Sequence, residues 1–227
     1  MQTRYKNILE QLAPYHAQLV AVSKTQPPDA VVELYALGQR KFGENKVQEL
    51  IPKQEQLPKD IEWHVIGHLQ RNKVKYIAPF VAMIESVDSL ELLQEINRQG
   101  MKCDRVIPCL LQFHIAQESS KFGLSPEDAE RMLRSEAFRS MQHVRIAGVM
   151  GMASFTEDLS QVRSEFRLLK GIFEHLKATF FAGEPGFCEI SMGMSSDYPI
   201  ALEEGATLVR IGTLLFGERR QKEQITG

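Results

Sequence analysis

A chain of 227 residues with 43% hydrophobic and 25% charged side chains has an ordinary globular composition and can bury a large core without disulfides or metals. Its net charge of −2 gives no electrostatic reason to expect nucleic acid or an anionic membrane as partner. The N-terminal stretch is too polar for a secretory signal, no apolar run reaches the roughly 18 residues of a membrane helix, and Cys103, Cys109 and Cys188 form no CxxC pair, so a cytoplasmic protein with reduced thiols is expected.

The chain begins with a helical pattern that puts Ile8, Leu9 and Leu12 on one face. A first strand follows at Leu19–Val22 and ends in Ser23-Lys24. Pro27, Pro28 and Asp29 start a helix with Val31, Val32, Leu34 and Leu37 at helical spacing, and Gly38 caps it. Lys41–Asn45 reads as the second strand, with a helix over Lys46–Leu57. Glu62–Leu69 is the third, with a helix near Lys73–Ala78. Met83–Val87 is the fourth, and Asp88-Ser89 caps a helix running through Asn97. Arg105–Ile115 is the fifth, and Ser125-Pro126-Glu127-Asp128 opens its helix. Val144–Met152 is the sixth, before a long helix from Leu159 to Thr179. Phe187–Met192 is the seventh, with a helix at Asp197–Glu204, and Thr207–Phe216 is the eighth.

Strict alternation of eight strands with helices predicts an all-parallel α/β fold. Several strands are nearly continuous apolar runs, as in a sheet covered on both sides. In a chain of this length the pattern predicts a single-domain (β/α)8 barrel with an extra N-terminal helix, an open doubly wound sheet being the alternative. The active site of such a barrel lies at the C-terminal ends of its strands.

Polar residues at those ends are therefore the candidates. Val20, Val22 and Lys24 share one strand face, so Lys24 is expected to point into the barrel mouth, unless it snorkels to solvent. Desolvation would make its amine a nucleophile for aldehydes. The turn Ser191-Met-Gly-Met-Ser195 can offer backbone N–H groups to a phosphate, or it is an ordinary connecting loop. Arg210 shares a face with Leu208 and Gly212, and an inward arginine needs a carboxylate or a ligand atom. Thr213 adds a hydroxyl. A lysine after the first strand and phosphate donors after the seventh and eighth point to a ligand with both an aldehyde and a phosphate. His64 and His68 lack the shared face of paired metal ligands, so no metal is expected. Trp63 reads as packing, and Glu118 with Lys121 as a solvated ion pair.

The stretches LVAVSKTQP at 19–27, FGENKVQE at 42–49, WHVIGHLQRNK at 63–73 and SMGMSSDYPIALEEGATLVRIGTLLFG at 191–217, with a looser ESSKFGL at 118–124, resemble the pyridoxal phosphate homeostasis protein family, the YggS/PROSC type. The resemblance implies a fold-type III barrel similar to the N-terminal domain of alanine racemase, with pyridoxal 5′-phosphate (PLP) held as a Schiff base on Lys24. It implies that Ser191, Gly193 and Ser195, with the backbone of Gly212 and Thr213, hold the phosphate. By the same resemblance Arg210 faces the pyridine nitrogen, Asn45 lies close to the ring, and Met150 and Gly151 pack near it. The chain departs from the family at His114, where relatives carry asparagine, and in VMGMASF at 149–155.

The expectation is a PLP-binding protein of cofactor homeostasis without robust turnover, monomeric, exchanging PLP with PLP-dependent apo-enzymes. A cation beside the pyridine nitrogen disfavours its protonation and weakens the ring as an electron sink. The second base of the related racemases comes from a C-terminal β domain, which the few residues after the eighth strand are not expected to supply. An amino-acid racemase using water or His114 as second base is the alternative; a Schiff-base aldolase or another phosphate-sugar barrel enzyme is a third reading.

Overall fold

The repeating strand–helix pattern closes on itself. A computed structural model of the chain describes residues 1–117 and 122–217; the expected Glu118–Lys121 pair lies outside them. Helix α1 (Gln2–Leu12) precedes β1 (Gln18–Val22), α2 (Pro28–Ala36), β2 (Lys41–Glu44), α3 (Val47–Gln56), β3 (Glu62–Val65), α4 (Val74–Ile77) and β4 (Met83–Val87). Then come α5 (Leu90–Lys102), β5 (Ile107–Phe113), α6 (Pro126–Arg134), α7 (Glu136–Arg139), β6 (Val144–Gly151) and α8 (Leu159–Thr179). The chain goes on through β7 (Glu189–Ser191), α9 (Tyr198–Glu203), β8 (Leu208–Ile211) and α10 (Thr213–Phe216). The eight strands form a closed barrel in sequence order, and β1 pairs in parallel with both β2 and β8. That closure excludes the open sheet.

Local signals start and stop the helices. Ser89 accepts the Leu92 N–H ahead of α5, and Ser125 accepts the Asp128 N–H ahead of α6. Gly38, at φ +105, lets the chain turn out of α2, and the N–H groups of Gly38 and Gln39 bond back to Tyr35 and Leu34.

Two expectations need correction. In α1 the buried face is Tyr5, Ile8 and Leu12; Leu9 is 39% exposed. The aromatic ring at position 5 completes the i, i+3, i+7 stripe, which leaves no room for position 9. The apolar run 207–216 is not one strand. It ends as a strand at Ile211 and turns at Gly212 into α10, where Leu215 is buried. Short apolar runs do not separate strand from helix by periodicity.

Alternation sorts β1 as expected: Leu19 and Ala21 belong to the layer under the helices, Val20 and Val22 to the barrel interior. The interior is lined by Val20, Val22, Ile66, Leu110, Ala147, Met150 and Leu208. Ala147 and Met150 both face inward although three apart. The register shifts between Cys109 and Leu110, where β6 is paired first through Ile146 and then through Gly148. Gly148, at φ +154, permits this: a Cβ there would sit 1.8 Å from the Glu189 carbonyl oxygen. Trp63 is buried beside Phe42 in the outer layer, as packing.

Candidate functional site

A cavity of about 590 Å³ opens at the C-terminal ends of the strands. Lys24, Asn45, Ser195, Arg210, Gly212 and Thr213 all line it, as do Val22 and Ile66 from the interior. Six of the nine residues singled out from the sequence thus converge on one volume.

Lys24 occupies a tight turn at the end of β1. Ser23 carbonyl accepts from the Gln26 N–H at 3.0 Å, and Thr25 has φ +64. For a β-branched residue that left-handed conformation is strained by about 1–3 kcal/mol. Side chains from β2 and α3 hold the turn. The Thr25 N–H donates to Glu49 Oε2 at 2.8 Å. Lys53 Nζ donates to the Ser23 carbonyl at 2.7 Å and to Glu44 Oε1 at 2.5 Å, and the Ser23 hydroxyl donates to the same carboxylate at 2.7 Å. Burial pushes the Glu44 carboxyl above the usual carboxylate range, against the pull of Lys53 and Ser23. Its Oε2 has no hydrogen-bond partner among the described residues.

Arg210 supplies the cation on the other side. It is buried on the inward face of β8, donating from Nη1 to the Ser191 hydroxyl at 2.6 Å and from Nη2 to the Gly151 carbonyl at 2.9 Å. Ser191 donates in turn to Glu85 Oε2 at 2.5 Å, and Glu85 Oε1 lies 2.6 Å from His64 Nδ1. Burial alone would raise the Glu85 carboxyl; the hydrogen bond with His64, the charges of His64 and Arg210 and the Ser191 hydroxyl outweigh it and hold Glu85 below the usual range. Burial also lowers the proton affinity of Arg210, opposed by Glu85 and Asp197; a guanidinium remains cationic in proteins all the same.

Three sequence candidates, Ser191, Met150 and Gly193, sit elsewhere than at the cavity wall. Ser191 is fully buried, outside the cavity lining, and its hydroxyl is engaged between Arg210 and Glu85. Met150 is buried in the barrel interior, and Met152 lines the cavity instead. Of the two serines in this turn, Ser195 is the one that lines the cavity. Gly193 shapes the loop from behind. It has φ +90, and a Cβ there would meet Ala201 Cβ at 2.6 Å. The Arg210 N–H donates to the Gly193 carbonyl at 2.9 Å, tying this loop to β8.

Other wall residues include Gln112, which the sequence did not single out, and His68, which it weighed only as a metal ligand. Gln112 lines the cavity from β5 with its amide held by the Phe122 carbonyl at 2.9 Å. His68 stacks on Phe122 with ring centroids 4.5 Å apart, and its Nδ1 lies 3.2 Å from Asp88. Alternation along β5 could have marked Gln112, since position 112 lies two beyond the inward Leu110. His114, the departure from the family pattern, does not line the cavity. Its Nδ1 is buried without a hydrogen bond among the described residues. His64 and His68 point to different partners, and the described residues contain no group of three or more His, Cys, Asp or Glu placed for a metal ion. No helix among the described residues is long and apolar enough to cross a membrane.

Residues 1–220 match the family model described as the alanine racemase N-terminal domain. The pyridoxal phosphate homeostasis protein of Aquifex aeolicus is 40% identical over 205 residues, which span 90% of this chain and 88% of that one. This chain belongs to the pyridoxal phosphate homeostasis protein family. The human member of the family is 39% identical over 228 residues, covering 92% of this chain and 79% of that protein. Among solved structures, PipY of Synechococcus elongatus is 37% identical and covers 95% of this chain and 99% of its own; the TM-score is 0.87 for its structure without PLP and 0.84 for the one with PLP bound. Alanine racemase of Bartonella henselae, at 16% identity and a TM-score of 0.72, shares the barrel fold; the match covers 96% of this chain and 62% of that one.

Proposed function

We propose that this chain binds PLP at the mouth of its barrel, covalently through Lys24, and serves PLP homeostasis rather than rapid turnover of an amino-acid substrate. The observation that carries the reading is the cavity itself. It brings a half-buried lysine, a buried arginine and the hydroxyl-bearing ends of β7 and β8 to one volume of about 590 Å³, within the range of about 300–1,000 Å³ typical of small-molecule sites.

The residues present fit the cofactor. Lys24 offers an amine for its aldehyde. Ser195, Gly212 and Thr213 line the side where a phosphate would bind, and Gly193 gives their loop its left-handed turn. Val22, Ile66 and Met152 offer an apolar surface to a ring, and Asn45 a polar edge. PLP, when bound, supplies an electron sink for carbanion chemistry. Arg210 works against that use: a cation beside the pyridine nitrogen disfavours its protonation. Glu85 and Ser191 lock the guanidinium in place. The racemase alternative needs a second base, and His114 is not among the residues that line the cavity.

The test is the absorption spectrum of the purified protein. A band near ~420 nm, the general region of PLP Schiff bases, that borohydride removes supports the reading. Lys24→Ala should lose the reducible adduct and keep the fold. An adduct that survives in that variant refutes the lysine assignment. Racemisation of free amino acids at or above about one turnover per second, the low end of ordinary enzymes, would favour the racemase.

A further inference from the structure

We propose that Glu49, backed by the buried Glu44–Lys53 pair, is a positioning residue for Lys24: by accepting the Thr25 N–H it holds the turn in the left-handed conformation that directs the lysine into the cavity. The inference rests on the PLP reading of the cavity and adds the device that sets its nucleophile.

Both neighbours of Lys24 in the chain are fastened, and every fastening side chain comes from β2 or α3. On one side Ser23 is held through its carbonyl by Lys53 and through its hydroxyl by Glu44. On the other, Thr25 is held at 2.8 Å by Glu49. Thr25 is exposed and β-branched, with φ +64, a backbone conformation it would not choose alone. Strain of this kind persists only where surrounding contacts over-determine it, and it gathers at functional sites. Here the strained residue directly follows the lysine. Relaxing Thr25 into an ordinary conformation would turn its N–H away from Glu49 and re-aim the preceding side chain.

Glu49 is suited to a test because it is only half-buried, in the first turn of α3. Its truncation opens no core. A second role must be separated from the first: an acidic residue in a first turn also favours the helix through its dipole. Glutamine keeps an acceptor oxygen for the Thr25 N–H and gives up the charge, so the two roles part in Glu49→Gln.

The experiment titrates PLP into the wild type, Glu49→Ala, Glu49→Gln and Thr25→Gly, following the ~420 nm band, and measures the melting temperature of each PLP-free protein. The expected result is a loss of PLP affinity of about tenfold in Glu49→Ala, the size of one ordinary hydrogen bond at the upper end of its range, with near wild-type affinity in Glu49→Gln. Thr25→Gly should keep or raise affinity and melt no lower than the wild type, because glycine retains the N–H that Glu49 holds and carries no strain at that φ. The inference is overturned if Glu49→Ala binds PLP within about twofold of the wild type, if Glu49→Gln loses as much as Glu49→Ala, or if affinity merely follows melting temperature across the set. A wild type that forms no band overturns the cofactor reading and this one together, whereas a normal band with an indifferent Glu49→Ala overturns this one alone.

Discussion

Glu85 and Arg210 meet across the barrel from opposite strands, 4.0 Å apart, with the Ser191 hydroxyl accepting from one and donating to the other. The pair is buried, and His64 completes the shell of the carboxylate. An inward arginine on β8 thus has its partner in the protein as well as facing the cavity. Its charge is compensated from below, and its guanidinium plane is fixed before any ligand arrives.

Breaking that pair should be expensive. Glu85→Gln leaves Arg210 buried without its counter-charge, and we expect a loss of about 3 kcal/mol in urea unfolding at neutral pH. The pH dependence has a definite sign. Glu85 is held below its ordinary value of 4.5 in the folded protein, so its contribution is complete above that value and fades as pH falls through the lower folded value. The stability gap between the wild type and Glu85→Gln should therefore be widest near neutrality and shrink in acid. A gap that stays constant from neutral to acid pH would contradict the assignment.

Ser191 and Ser195 should separate. Ser195 lines the cavity, so Ser195→Ala is expected to weaken PLP binding and leave stability nearly unchanged. Ser191 bridges two buried charged groups, so Ser191→Ala is expected to cost about 1–3 kcal/mol of stability, with the smaller direct effect on PLP. Equal losses of PLP affinity with equal stability in the two variants would restore Ser191 to the phosphate.

Gly193→Ala tests the loop behind the phosphate side. Alanine at φ +90 is strained, and its Cβ would press on Ala201. A loss of about 1–3 kcal/mol is expected, along with weaker retention of PLP on dialysis, because the same loop is bonded to the Arg210 N–H. Wild-type stability and retention in this variant would show that the loop has room to re-form.

Lys53→Met should leave Glu44 buried beside no cation, at a cost of about 3–5 kcal/mol. Burial already raises the proton affinity of Glu44, and Lys53 opposes it. In the variant the carboxyl rises further, so the protein should regain stability, relative to the wild type, as pH is lowered through the Glu44 value and the group becomes neutral. The double variant Glu44→Gln with Lys53→Met should recover much of the loss. A double variant as unstable as Lys53→Met would place the defect outside the charge pair.

Much of the barrel was legible because its signals are local. Ser89, Ser125 and Gly38 act on the helix ends next to them, and Val20 and Val22 face inward by simple alternation. The boundaries were less legible. The run 207–216 holds enough apolar residues for a strand throughout, yet Gly212 turns it into α10. The family resemblance implies Met150 beside the ring, and the position along β6 is not fixed by resemblance alone. The register shift opposite Cys109 changes which residues of β6 face inward, and it sets Met150 in the interior with Met152 above it.

The sequence by itself determined the count of strand–helix units, the lysine after the first strand and the small-residue turns after the last two, because periodicity, caps and turn residues act over a few positions of chain. Only the tertiary structure decided that Ser191 serves Glu85, 106 positions away in the chain, and that Glu49 reaches the backbone of Thr25. Those contacts depend on barrel closure and on register between strands. Neither is written in the spacing of any one segment, since a single inserted or shifted residue sends every later side chain to the other face.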